Sequence, residues 1–80
     1  MHYVYIVESV HARDQRYIGQ TADLKKRIAD HNAGQSTHTQ RYRPWNLVCY
    51  LGFAEPRRAL AFEQYLKSGS GNTFVKRHFL

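Results

Sequence analysis

The chain reads as a small α+β domain, a three-stranded and mostly antiparallel sheet flanked by helices in the order ββαβαα. Three observations lead there. Short β-branched and aromatic runs occur three times, and segments with helical periodicity also occur three times. A sheet of only three strands cannot bury both faces by itself, so the helices must pack on it. Eighty residues are one domain's worth of chain, and residues 1–80 are expected to form a single domain.

Tyr3-Val4-Tyr5-Ile6-Val7 is a strand by composition, and Arg16-Tyr17-Ile18-Gly19 is a second. The polar stretch His11 to Gln15 between them makes the pair a hairpin with a longish loop. Thr21 and Asp23 offer helix N-caps, Leu24, Ile28 and His31 recur at helical spacing, and Gly34 supplies a stop. The spacing predicts a first helix over about residues 22–33. A polar loop, Gln35 to Pro44, leads into a third strand from Trp45 to Phe53. Pro56 is well placed as the first residue of a second helix, with Ala59, Phe62, Glu63 and Leu66 on one face and Gly69 and Gly71 as its expected end. Asn72 is expected to cap a short last helix, in which Phe74 and His78, and Val75 and Phe79, sit four apart.

Composition excludes several classes. Cys49 is the only cysteine, so neither an intrachain disulfide nor a zinc site on paired thiolates can form. The longest apolar runs, Tyr3 to Val7 and Leu47 to Leu51, have five residues each, against about 20 for a bilayer span. Neither a transmembrane helix nor a signal peptide is expected, and the expected compartment is the cytoplasm. Twelve Lys and Arg against six Asp and Glu give a net charge of +6, of which +5 falls after residue 40. A small basic domain rich in Tyr and Arg points to a polyanionic partner. The cations are spread over several elements and not gathered on one amphipathic helix, which favours nucleic acid over a membrane surface.

Function rests on polar residues that the folding pattern leaves over. Alternation puts Tyr3 and Tyr5 on one strand face, and Tyr17 shares a face with Gly19, where a bare patch lets a substrate backbone come close. Taken alone, such tyrosines are ordinary half-buried strand aromatics. Arg27 and His31 lie four apart beside the apolar stripe of the first helix. Arg27 offers a planar fork suited to phosphate, and His31 titrates near neutrality. The competing reading is a solvated basic run, Lys25-Lys26-Arg27, with an ordinary helix-terminal histidine. Glu63 sits at the edge of an apolar face, where a carboxylate is costly unless paired or bound to a cation. Either Lys67 pairs with it at the favoured spacing, or it holds a hard metal ion together with waters and substrate oxygens.

In combination these residues resemble the GIY-YIG nuclease superfamily. The likeness runs through Tyr3-Val4-Tyr5, then Tyr17-Ile18-Gly19 a dozen residues on, Arg27 and His31 on the next helix, and Glu63 on the one after. Within that superfamily the sequence is most similar to the small, single-domain bacterial type, through Asp23-Leu24-Lys25-Lys26-Arg27, His31-Asn32-Ala33-Gly34, Arg43-Pro44-Trp45 and Leu66-Lys67-Ser68-Gly69. The first motif departs from Gly-Ile-Tyr but keeps Tyr5. An asparagine that often follows the metal-binding glutamate has only Asn72 as a counterpart, nine residues after Glu63, and Asn72 is taken as a helix cap.

The resemblance implies a metal-dependent endonuclease that hydrolyses phosphodiester bonds in nucleic acid, DNA ahead of RNA, with structure-selective or weak sequence preference. It implies that Tyr5 and Tyr17 belong to the catalytic cluster, that Arg27 steadies the scissile phosphate, that His31 occupies a proton-transfer or second-sphere position, and that Glu63 binds one Mg2+ or Mn2+. Tyr5, Tyr17 and His31 all remain candidates for the general base. Substrate contacts are expected from Arg41, Arg43 and Lys67, with Arg57, Arg58, Lys76 and Arg77 meeting further phosphates and Tyr42 and Trp45 stacking on an exposed base. A recruiting protein partner would fit a domain too small for base-specific reading. The competing class is a noncatalytic nucleic-acid-binding or protein-interaction module on the same fold.

Overall fold

The structure is a computed structural model and describes residues 1–80. Strand β1 (His2–Ser9) pairs with β2 (Arg16–Thr21) and β3 (Trp45–Phe53), antiparallel on both sides, in the order β2-β1-β3. Helix α1 (Leu24–Asn32) follows β2, a 3-10 turn (Gln40–Tyr42) precedes β3, and α2 (Pro56–Leu66) and α3 (Gly69–His78) complete the chain. The expected ββαβαα order and antiparallel sheet are therefore present.

Alternation along β1 feeds two cores. Val4 and Ile6 pack with Ala59 and Leu66 of α2 and Val75 of α3. Tyr5 and Val7 point the other way and join Trp45, with Leu24 and Ile28 of α1 packed against them. Both faces of the central strand are covered, so Val4 through Val7 are all buried although the polar-apolar pattern of a half-exposed strand is absent.

Pairing of β1 with β3 is interrupted once. Ile6 faces Cys49, but Val7 faces Leu47, so Val48 is an extra residue in β3. Residues directly opposite each other share a face. Tyr50, opposite Tyr5, therefore lies on the α1 side, and so do Leu47 and Trp45 beyond the extra residue. Without this irregularity, unbroken alternation from Cys49 through Val48 would send both to the α2/α3 side.

Helix boundaries follow their caps. Asp23, not Thr21, caps α1, its carboxylate accepting from Lys26 N–H at 3.1 Å, which makes the helix slightly shorter than residues 22–33. Gly34 follows the C-cap with φ +79°, the left-handed conformation that glycine adopts without strain. Two expectations fail at the α2/α3 joint. Gly69 and Gly71 do not end α2, which stops at Leu66, but belong to α3. Asn72 is not the cap of α3 and lies exposed inside that helix, because Ser68 accepts from Gly71 N–H at 3.2 Å and starts the helix earlier. Gly71 is required by closeness, since a Cβ there would collide with the Tyr65 carbonyl of α2. No helix is long and apolar enough to cross a membrane.

Candidate active site

On the α1 stripe, Leu24 and Ile28 pack into the core and His31 continues the same face one turn later. That continuation buries His31 completely, and it is the only buried residue of α1. A solvated helix-terminal histidine is excluded by this placement. Arg27, one turn before His31, is half-buried and reaches the same strand residue. Tyr5 Oη lies 2.7 Å from His31 Nε2 and accepts from Arg27 Nε at 3.3 Å. Two side chains from α1 thus converge on one phenolic oxygen of β1.

β2 supplies the next layer. Tyr17 stands with its ring centroid 5.1 Å from that of His31 and 6.3 Å from that of Tyr5. Gly19 lies directly opposite Tyr5 across the β1–β2 ladder, and a Cβ there would meet Tyr5 Oη at 2.5 Å. The bare position read from the sequence therefore accommodates the Tyr5 phenol itself. On the outer side of Tyr17, Lys67 holds its ammonium 5.7 Å from the ring centroid and donates to Glu63 at 3.3 Å. The side chain of Glu63 is 14 % exposed and that of Lys67 49 %. The Glu63–Lys67 pair is real, and it is also part of the cluster.

The electrostatics follow from this layering. Burial raises the Tyr5 pKa above its ordinary 10.0 by disfavouring the phenolate; hydrogen bonding and charge from Arg27 work against this rise, while Tyr17 and Glu63 add to it. The Tyr5 hydroxyl in turn holds the Arg27 guanidinium above its ordinary value, so Arg27 is a permanent cation. His31 is pushed down, first by burial and then by the Arg27 charge, and rests neutral.

This arrangement of phenol, guanidinium, imidazole and carboxylate on β1, β2, α1 and α2 coincides with a family match. The profile of the GIY-YIG catalytic domain covers residues 1–77. The chain belongs to the GIY-YIG family. It is 41 % identical over 66 residues to UPF0213 proteins of Streptococcus pyogenes serotypes M5 and M1, an overlap covering 81 % of this chain and 70 % of each relative. The solution NMR structure of a UPF0213 protein from Bacillus halodurans matches with a TM-score of 0.57 at 29 % identity, covering 98 % of this chain and 85 % of that one. The superfamily likeness and the three-stranded GIY-YIG-like fold read from the sequence are both borne out.

The GIY-YIG domain thus brings Tyr5, Tyr17, Arg27, His31, Glu63 and Lys67 together. It does not present Trp45 for base stacking. Trp45 is 4 % exposed, and its indole N–H donates to the Thr39 carbonyl at 2.8 Å. Its backbone is clamped by Asn32, whose side chain accepts from Trp45 N–H at 2.6 Å and donates to Trp45 C=O at 3.3 Å. The irregularity at Val48 puts this indole on the α1 side. Tyr42 is half-buried beside the same cluster, with the Arg41 guanidinium 5.4 Å above its ring. Arg43 lies against Gly34 at the C-terminal end of α1, where a cation suits the helix dipole. Both arginines are exposed on the 35–44 loop.

One site residue escaped the sequence reading. Thr39, fully buried, places its Oγ1 2.6 Å from His31 Nδ1. In a polar loop of Ser, Thr, His and Gln, nothing marks a single threonine as interior. The signal that existed was indirect, since a buried imidazole needs partners on both nitrogens and the loop following α1 is the nearest source.

Proposed function

We propose that this GIY-YIG domain hydrolyses phosphodiester bonds in nucleic acid, DNA ahead of RNA, with a divalent cation held at Glu63. The observation that carries the reading is the convergence of Arg27 and His31 on the Tyr5 oxygen, with the Glu63 carboxylate joined to the cluster through Lys67 over the Tyr17 ring. A binding module has no need to aim two nitrogens at one buried phenol.

The residues fit a cation held by few protein ligands. No cluster of three or more His, Cys, Asp or Glu side chains exists, which excludes an all-protein cage. Glu63 is a single hard oxygen donor whose one side-chain partner is the half-exposed Lys67. Magnesium is commonly held in this way, by one or two carboxylates with waters and substrate phosphates. When bound there, Mg2+ or Mn2+ supplies charge that offsets Glu63 beside Tyr5, neutralises nonbridging oxygens and stabilises the leaving oxygen.

The chain's own residues do the rest. Arg27 uses Nε on Tyr5, which leaves its terminal amines to grip a nonbridging phosphate oxygen as negative charge develops. Tyr5 serves as the base only as its phenolate, its own hydrogen first passing to bulk water with the Arg27 charge opposing the cost of burial. That oxygen then takes a proton from the attacking water while the water oxygen bonds phosphorus and the bond to the leaving oxygen breaks. His31 and Arg27 hold that phenol in place from two sides. Tyr17 and Lys67 close the site outward, and Arg41 and Arg43 sit on the loop that also supplies Thr39. Phosphate contacts of this kind position a substrate without reading its bases, which supports structure-selective or weakly selective cleavage.

The test is cleavage of single-stranded, duplex, flap and branched DNA and matched RNA, with magnesium, manganese or excess chelator. Metal-dependent scission of at least one substrate is expected. Cleavage that persists in chelator defeats the metal role, and no cleavage of any substrate replaces this reading with a binding module.

A further inference from the structure

Thr39 is fixed by its backbone before its side chain is considered. Its N–H donates to Ser36 C=O at 3.2 Å, and its carbonyl accepts from the Trp45 indole at 2.8 Å and from Tyr42 N–H at 3.3 Å. A β-branched side chain on a pinned backbone has little rotamer freedom. Its hydroxyl has a single hydrogen-bond partner, His31 Nδ1 at 2.6 Å.

A neutral imidazole carries one hydrogen, so the chain Thr39–His31–Tyr5 can be written in two ways. In the first, Nδ1–H donates to Thr39 and Nε2 accepts from the Tyr5 hydroxyl. The Thr39 hydrogen then has no acceptor, in a residue sealed beneath Trp45. In the second, the Thr39 hydroxyl donates to Nδ1, and Nε2–H donates to Tyr5 Oη alongside Arg27 Nε–H. The one hydrogen without an acceptor is then that of Tyr5, and it is gone once Tyr5 is ionised. While Tyr5 is protonated each arrangement leaves one hydrogen unpaired, that of the fully sealed Thr39 in the first and that of Tyr5, at the site itself, in the second. Once Tyr5 is ionised only the second satisfies every donor.

We propose that Thr39 is a positioning residue that locks His31 in its Nε2–H tautomer, so that His31 and Arg27 together donate to the Tyr5 oxygen. This rests on the nuclease reading for its catalytic consequence but not for the tautomer itself. His31 is then no proton acceptor in the resting site; it is half of a two-donor cradle for the phenolate, and Thr39 acts through it without touching substrate. Tyr17, Arg27 and Asp30 are the other titratable groups facing His31 or its charge, and none of them competes for Nδ1.

The experiment is 15N NMR of the His31 ring at neutral pH in the wild type, Thr39→Val and Thr39→Ser. The wild type is expected to show hydrogen on Nε2, Thr39→Ser to keep it there, and Thr39→Val to lose the preference. Hydrogen on Nδ1 in the wild type overturns the proposal, as does an unchanged Nε2–H preference in Thr39→Val. Where Thr39→Val does not fold, the wild-type and serine spectra decide. In the cleavage assay Thr39→Val is expected to lower kcat about tenfold with KM little changed, and serine to restore most of it. Equal loss in Val and Ser would reduce Thr39 to a packing role. A wild type that cleaves nothing defeats the nuclease reading and leaves the tautomer measurement to judge Thr39.

Discussion

Replacing Gly19 with alanine tests the site by the smallest possible perturbation. The added methyl would lie 2.5 Å from Tyr5 Oη, 2.7 Å from its Cζ and 2.9 Å from Tyr17 Cε2. Ordinary contact starts near 3.4 Å, so the hydroxyl must retreat by about 0.9 Å. It cannot do so freely. Tyr5 is 1 % exposed, and its oxygen holds bonds of 2.7 Å to His31 and 3.3 Å to Arg27, which cannot both survive such a shift at their present lengths. Overpacking of this kind costs about 1–3 kcal/mol, and each kcal/mol lowers Tm by about 4–8 °C in a domain of this size. Trp45, the sole tryptophan and buried beside Tyr5, reports unfolding by fluorescence in urea. Gly69→Ala is the control, because nothing lies within 4 Å of its added methyl. It should be neutral or stabilising by up to about 1 kcal/mol. Cleavage by Gly19→Ala, measured where it is still folded, should fall by more than its loss of stability explains. A variant with the wild-type urea midpoint and cleavage rate would refute the claim that Gly19 is small to make room for the Tyr5 phenol.

Three further outcomes are expected. Arg27→Lys keeps the charge but loses the planar fork, so cleavage should drop by about tenfold or more while affinity for nucleic acid holds; full activity would remove Arg27 from the site. Glu63→Gln should abolish metal-dependent cleavage and leave folding nearly intact, since the pair it breaks with Lys67 is worth at most about 0.5 kcal/mol; retained cleavage would detach the metal from Glu63. His31, held below its ordinary 6.5 by burial, takes up a proton more readily in the unfolded chain, so stability is full above about pH 6.5 and declines as pH falls below it. The slope is at most about 1.4 kcal/mol per pH unit, and equal urea midpoints near pH 7.5 and 5.5 would contradict it.

The sequence was most legible where periodicity and cap chemistry agree. Trp45–Phe53 and Pro56 were placed correctly because the apolar run Leu47 to Leu51 with its flanking aromatics and an N-terminal proline each allow one reading. It was least legible where two caps competed. Ser68 and Asn72 are both good N-caps, and the Gly71 contact with Tyr65, which selects Ser68, is a tertiary fact. The site shows the same division. Arg27 and His31 could be grouped because residues four apart on a helix share a face and the neighbouring stripe is apolar, whereas Tyr5 joined them only through the family resemblance. Trp45 was offered for base stacking because the contacts that bury it, the Asn32 clamp on its backbone and the indole bond to the Thr39 carbonyl, are tertiary. Thr39 was invisible because its burial depends on that same inward indole.

The irregularity at Val48 also bears on how the molecule avoids its own copies. With the order β2-β1-β3, strand β3 forms an outer edge, and its nine residues contain neither a charge nor a proline. A flat neutral edge of that length, with Leu47 and Tyr50 partly exposed, is a template onto which another chain can add a strand. The extra residue breaks the pleat in the middle of the edge, and Asn32 occupies the backbone groups of Trp45 at one end. Only Cys49 to Phe53 remains as a regular free stretch. Deleting Val48 would leave Trp45 on the α1 side, since Leu47 would still oppose Val7, but it would straighten the edge into a longer adhesive ladder, and the variant should aggregate before it unfolds.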